Sequence, residues 1–288
     1  MKISHLELEG AEGVRLHGAA AGERGPLILF LHGFPEFWEA WHRQLIEFGR
    51  DYRAVALDLR GYNLSGKPKG VRAYALPKLV DDICHVLHAL SPREPAIVVG
   101  HDWGGIIGWS LARERPELLD RLVIINAPHP AIFLRELKQN RGQLFASSYA
   151  AFFQLRGIAE TVLRAFDYAA LRKMVFGLSS KPQVFTRTLR ARYREAWGQP
   201  RALPASLHYY RNIRALRRAA ASKETWRINV PTLVLWGDQD PALVGANLVG
   251  LDQFVPRLTL LRHPSATHWI VHEEPEWVNA AIRTFIES

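Results

Sequence analysis

The segment Gly100-His101-Asp102-Trp103-Gly104 follows an apolar run, Ala96-Ile97-Val98-Val99, and precedes Ile106-Ile107-Gly108-Trp109-Ser110-Leu111-Ala112. A buried strand, a sharp turn flanked by glycines and then a helix form an elbow that presents a nucleophile at its tip. The glycines suit a turn whose neighbours leave no room for side chains. The tip residue is Asp102. A carboxylate is ionised near neutral pH, since free Asp titrates near ~3.9. Its attack on an ester carbonyl would give a mixed anhydride, which is uphill. Its attack on a saturated carbon gives an ordinary alkyl ester, stable enough to be an intermediate. The substrate should therefore carry an electrophilic sp3 carbon with a leaving group, either an epoxide or a carbon–halogen bond.

Such an ester must be hydrolysed, and water then needs a base. After an elbow of this kind the acid and the His follow in chain order. Val230-Pro231-Thr232-Leu233-Val234-Leu235-Trp236-Gly237 reads as a strand running into Asp238-Gln239-Asp240. Leu258-Thr259-Leu260-Leu261 reads as another, followed by Ser265-Ala266-Thr267-His268-Trp269. His268 is the expected base and Asp240 its orienting carboxylate, with Asp238 read as a helix cap. Leu27-Ile28-Leu29-Phe30-Leu31 is a buried strand that ends in His32-Gly33-Phe34-Pro35-Glu36. The backbone N–H groups of Phe34 and Trp103 should then form an oxyanion hole. His32 and His101 are expected to support the elbow rather than react.

The elements that must position these residues alternate. Two short strands open the chain, around residues 3–9 and 13–19. The strand ending at Phe34 comes next, then a helix from Trp38 to Phe48, a strand from Tyr52 to Leu59 and a helix from Tyr74 to Leu90. The elbow strand and its helix follow, and Leu122-Val123-Ile124-Ile125-Asn126 is one more strand. This order predicts an α/β protein with a mostly parallel sheet and helices on both faces. Residues 1–127 and 228–288 form the core in this reading. Residues 128–227 carry no convincing strand and read as an inserted all-helical lid, or cap domain, over the carboxyl ends of the strands, where ligand crevices form.

Composition adds limits. The chain has 288 residues, is 48% hydrophobic and 23% charged, and has one cysteine. That is ordinary for a soluble globular protein. The first residues show no apolar signal region, and no apolar run reaches the length of a membrane span. Cys84 cannot form an internal disulfide and sits in an amphipathic helical stretch. A cytoplasmic protein is expected, as a monomer or homodimer, with no membrane partner. The net charge is +9. Arg135, Lys138, Arg141, Arg156, Arg164, Arg172, Lys173, Arg187, Arg190, Arg192 and Arg194 concentrate it in the middle of the chain. Without a nucleic-acid motif this reads as a solvated helical face, and no nucleic-acid partner is expected.

The leaving group decides between epoxide and halide. A departing halide needs only N–H donors. An opening epoxide leaves an alkoxide, which needs a positioned acid such as a tyrosine. Two stretches offer one: Ser147-Ser148-Tyr149-Ala150-Ala151-Phe152-Phe153-Gln154 and Leu207-His208-Tyr209-Tyr210-Arg211-Asn212. Spacing alone does not single out Tyr149 and Tyr210.

The chain resembles the epoxide hydrolases of the α/β-hydrolase superfamily over nearly its whole length. The matching pieces are His32-Gly33-Phe34-Pro35-Glu36, Asp58-Leu59-Arg60-Gly61-Tyr62, Gly100-His101-Asp102-Trp103-Gly104-Gly105, Asn126-Ala127-Pro128-His129-Pro130, Phe152-Phe153-Gln154, Tyr210-Arg211-Asn212 and His268-Trp269. The resemblance implies an α/β-hydrolase fold and epoxide activation by Tyr149 and Tyr210. It also implies Asp240 rather than Asp238 as the acid, and no cofactor or metal. Asn63 stands where many relatives have Gly, which implies a local turn difference. Haloalkane dehalogenases resemble the chain as well, but often carry Asn where Phe34 stands. Fluoroacetate dehalogenases carry Arg at the Trp103 position. A dehalogenase with the same Asp-His-Asp set is the alternative, and a binding protein without turnover is a further one. The aromatics Phe34, Trp38, Trp103, Phe152 and Phe153 suggest an apolar substrate pocket, suited to aryl or alkyl epoxides.

Overall fold

The computed structural model describes residues 2–213 and 226–288. Eight strands form one sheet in the order β1-β2-β4-β3-β5-β6-β7-β8. β1 (Ser4–Glu9) and β2 (Arg15–Ala21) form an antiparallel hairpin, and β2 also runs antiparallel to β4 (Arg53–Leu57). The remaining neighbours are parallel: β3 (Leu27–Leu31), β4, β5 (Ala96–His101), β6 (Leu119–Ile125), β7 (Thr232–Gly237) and β8 (Leu258–His263). Every residue of β3, β5 and β7 is buried. Central parallel strands covered on both faces read as unbroken apolar runs, which is why these three are visible in the sequence.

Helices return the chain between parallel strands. α1 (His42–Phe48) follows β3, α2 (Leu76–Leu90) follows β4, and α3 (Trp103–Glu114) follows β5. The expected helix from Trp38 is shorter. Trp38–Trp41 is a 3-10 turn, and the α-helix starts only at His42. A second 3-10 turn, Val71–Tyr74, likewise precedes α2, whose Pro77 suits its first turn.

Among the described residues there is no strand between β6 and β7. The chain there forms α4 (Pro130–Gln139), α5 (Arg141–Ala146), α6 (Ser148–Phe152), α7 (Ile158–Arg172), α8 (Arg187–Gly198) and α9 (Ala202–Arg211). Side chains cap two of them: Asn140 accepts from the Gln143 N–H, and Thr186 from the Leu189 N–H. α7 bends at Ala165–Tyr168. Part of the expected 128–227 lid, residues 214–225, lies outside the described residues. α10 (Ile270–Glu273) and α11 (Pro275–Ile286) close the chain. Among the described residues no helix is long and apolar enough to cross a membrane.

Parallel strands end on a common edge of the sheet. The residues after β3, β5 and β7 therefore meet there, which is where open α/β sheets form their crevices.

Candidate active site

The elbow is strained where the chemistry needs it. Asp102 has φ +49° and ψ −118°, a rare backbone for a residue with a side chain. The turn is also crowded. A Cβ on Gly104 would lie 2.1 Å from the Leu31 carbonyl oxygen, and one on Gly33 would lie 2.4 Å from Asp102 Cβ. Only glycine lets these two chain segments converge. The Phe34 N–H donates to Asp102 Oδ2 at 2.8 Å, so the loop after β3 aims a donor at the carboxylate.

His268 follows β8. Its Nδ1–H donates to Asp240 Oδ2 at 2.7 Å. Asp240 is held from every side. Asn126 Nδ2 donates to its Oδ2 at 2.7 Å, and the N–H groups of Ala242 and Leu243 donate to its Oδ1 at 2.8 and 3.0 Å. Asp238 has a different place: its partly exposed carboxylate accepts from Arg262 Nε at 2.8 Å.

Tyr149 and Tyr210 stand across from the elbow. Their rings lie 5.7 Å apart, edge to face, and Tyr210 also packs edge-on against Trp103 and Phe34. Asp102, Trp103, Tyr149 and Tyr210 line one cavity of about 280 Å³. Its other walls are mostly apolar, including Ile106, Pro128, Phe133, Leu137, Leu144 and Leu243.

A family model described as the alpha/beta hydrolase fold matches residues 26–275. Epoxide hydrolase 4 of Mus musculus is 37% identical over 284 residues, covering 96% of this chain and 77% of that protein. The chain belongs to the epoxide hydrolase family of this fold. The AB hydrolase superfamily protein YfhM of Bacillus subtilis (strain 168) is 43% identical over 280 residues, 96% of each chain. Among solved structures, a mutant of an epoxide hydrolase from Bacillus megaterium, complexed with its product (R)-3-[1]naphthyloxy-propane-1,2-diol, superposes with a TM-score of 0.91. It is 37% identical, covering 98% of this chain and 100% of that one. Epoxide hydrolase VrEH1 from Vigna radiata superposes with a TM-score of 0.86 at 28% identity, covering 99% and 98%.

Electrostatics sort the groups of this family member. Burial raises the Asp102 carboxyl, with His268, His101 and the Phe34 and Trp103 N–H groups pulling it back in part. Burial would raise Asp240 too, but the His268 charge and its hydrogen bonds bring it below the ordinary value. Burial alone would lower His268. The charge and hydrogen bond of Asp240, then the charge of Asp102, outweigh it and lift the imidazole to about 9. Both phenols are pushed up, first by burial. Tyr149 is then raised by Asp102 and Asp240, and Tyr210 by Tyr149 and Asp102. Each stays a protonated donor across the physiological range.

The expected supporting roles of His32 and His101 match their contacts. His32 Nδ1–H donates to the Gly33 carbonyl and its Nε2 accepts from the Leu59 N–H. The ring nitrogens of His101 face the His268 carbonyl at 2.9 Å and Glu36 Oε2 at 3.0 Å.

Of the five expected pocket aromatics only Trp103 lines this cavity; Phe34 meets Asp102 through its backbone N–H, and the other three lie elsewhere. Trp38 donates its N–H to Asp58 and packs against His5, because the 3-10 turn after β3 carries it away from the elbow. Phe153 is buried against Tyr210 and Phe34, and the Phe152 ring packs on it at a tilt. Neither phenylalanine lines the cavity.

Sequence reasoning quoted Asn126 in a matching motif without giving it a role, and it missed Gln143. Asn126, at φ +40°, directly follows β6 beside β7 and also accepts from the Gly237 N–H at 2.8 Å. An Asn at a strand end tolerates that backbone and carries both a donor and an acceptor. Gln143 is wholly buried. It accepts from the Val244 N–H and Asn247 Nδ2, and donates to Ser147 Oγ and the Ala242 carbonyl. Nothing in its local sequence marks it, since all its partners but Ser147 lie about a hundred residues away.

Proposed function

We propose that this protein hydrolyses epoxides to vicinal diols through a covalent ester on Asp102. The observation that supports the reading is one mostly apolar cavity lined by the Asp102 carboxyl and by two phenols, Tyr149 and Tyr210, that burial pushes up. A halide would need no proton, whereas an epoxide oxygen needs one.

In the first step a carboxylate oxygen of Asp102 attacks the less hindered, or the benzylic, ring carbon. The C–O bond breaks and its electron pair goes to the ring oxygen. Tyr149 and Tyr210 hold that oxygen, and one gives it a proton. In the second step His268, oriented by Asp240, takes a proton from water. The hydroxide attacks the ester carbonyl, and the N–H groups of Phe34 and Trp103 hold the oxyanion. Collapse expels the diol oxygen, which takes the proton from His268. The regenerated carboxyl loses its own proton, restoring the phenol. One oxygen of Asp102 then comes from solvent. The helices between β6 and β7 serve as the cap that carries both phenols, and the apolar walls favour aryl or alkyl epoxides.

Replacing Tyr149 and Tyr210 by Phe tests the reading. Each single change should slow ester formation from styrene oxide by roughly 100-fold or more, and the double change should abolish it. Undiminished diol formation by the double variant would overturn the assignment. Release of halide from a chloroalkane by that variant, at the parent's rate, would favour dehalogenation.

A further inference from the structure

The mouth of the cavity carries a patch that the proposed reaction does not use. Leu144 lines the cavity yet is 56% exposed, and the lining residues Ala151 and Gln154 are exposed with it. Beside them in the chain stand Phe145, 79% exposed, and Leu155, Ile158 and Val162. Ile158 and Val162 are four residues apart at the start of α7, so they share a helix face. Ala159 and Leu163 form the buried side of that helix. Single exposed apolar residues are normal on a protein surface, but a contiguous group marks an interaction site.

The same stretch is basic. From Leu137 to Val162 the chain has Lys138, Arg141 and Arg156, and its one carboxylate, Glu160, is paired with Arg211. All three cations are exposed, and among the described residues none has a carboxylate partner. The sequence alone assigns this charge to a solvated face. Exposed apolar side chains between the cations change that reading.

We propose that this rim docks on the surface of an anionic lipid bilayer. Phe145, Leu155, Ile158 and Val162 enter the boundary between headgroups and acyl chains, and Lys138, Arg141 and Arg156 meet the anionic headgroups. A second copy is the poorer occupant, because two such rims face to face would gather unpaired cations, and the rim's one carboxylate, Glu160, is already paired with Arg211. The consequence for turnover rests on the epoxide reading. An apolar epoxide dissolved in the bilayer would reach the cavity mouth without crossing water. The docking itself can be read without any substrate.

The test is co-sedimentation of the full chain with vesicles of phosphatidylcholine, with and without a third of phosphatidylglycerol. At low salt the protein should bind the anionic vesicles at least about tenfold more tightly than the neutral ones, and high salt should erase the preference. The double variant Phe145→Glu with Ile158→Glu should lose binding to both. Arg141→Glu with Arg156→Glu should lose only the preference for anionic lipid. Both variants should turn over dissolved styrene oxide at the parent's rate. Failure of the wild-type protein to sediment with either vesicle would overturn the proposal. So would binding that survives the Phe145 and Ile158 changes. If those changes instead convert a dimer to a monomer and leave vesicle binding alone, the patch belongs to a second copy.

Discussion

Asp102 and Asp240 are the same residue type in opposite surroundings. Asp240 accepts four hydrogen bonds and is held as an anion. Asp102 is raised by burial, with the Phe34 N–H on its Oδ2. The elbow motif led to Asp102, and chain order led to His268. The choice of Asp240 over Asp238 was made from the residues and reinforced by family likeness, and the geometry behind it is the bond to His268. The tyrosines were not legible from spacing, because Tyr149 and Tyr210 differ from the neighbouring Tyr209 only in which way they face. Tyr209 instead donates to the Arg60 carbonyl. The charge of Asp102 is one cause of the raised His268. Ester formation removes that charge, so the imidazole of the ester-bound enzyme should titrate below the about 9 of the free enzyme. The pH profile of ester breakdown, set against an NMR titration of free His268, checks this; an equal or higher value in the ester would contradict it. Stability follows the same group. Its folded value lies above its unfolded one, so its contribution is complete below about 6.5. That contribution is lost as pH rises through about 9, and His268→Gln should flatten this loss.

At the scale of elements, the elbow was readable because β5 and the start of α3 are largely apolar and the glycines flanking Asp102, Gly100 and Gly104, have no room for a side chain. Helix boundaries were less readable. The 3-10 turns at Trp38–Trp41 and Val71–Tyr74 share the apolar periodicity of the helices they precede. The pocket walls were misjudged because an aromatic residue near a site can pack behind it, as Phe153 does. Gln143 links elements no local pattern connects. It joins α5, just before the helix of Tyr149, to the loop that caps Asp240. Gln143→Met keeps the shape and removes four side-chain hydrogen bonds. The variant should lower the melting temperature and slow single-turnover ester formation by roughly tenfold or more, because phenol and carboxylate lose their register. A lower melting temperature with an unchanged rate would make Gln143 a purely structural residue.

At the scale of the molecule, polar ties hold the helices between β6 and β7 to the sheet. Trp197 Nε1–H donates to the Pro35 carbonyl at 2.6 Å, and the Tyr193 hydroxyl donates to Glu36 Oε1 at 2.9 Å. Glu36 is fully buried and also bonds His101 and His272. Burial would raise it, but its two histidine partners hold it well below the usual carboxylate range. The α/β alternation was legible, since each element buries its own stripe. These ties were not, because they form only when distant segments meet. Tyr193→Phe removes one donor from a buried carboxylate and should cost about 1–3 kcal/mol. Thermal unfolding should then shift down by several degrees, with turnover at low temperature close to the parent's. An unchanged melting temperature would mean that the hydroxyl does not secure these helices to the sheet.

The most direct test of the central claim is the intact mass of a His268→Gln variant after incubation with styrene oxide. Ester formation should proceed and its hydrolysis should stall. The account predicts a stable gain equal to the whole epoxide, mapped to the peptide that carries Asp102, because nothing leaves on ring opening. No adduct at Asp102 with the epoxide, together with one from a chloroalkane lighter than that substrate by hydrogen chloride, would contradict it.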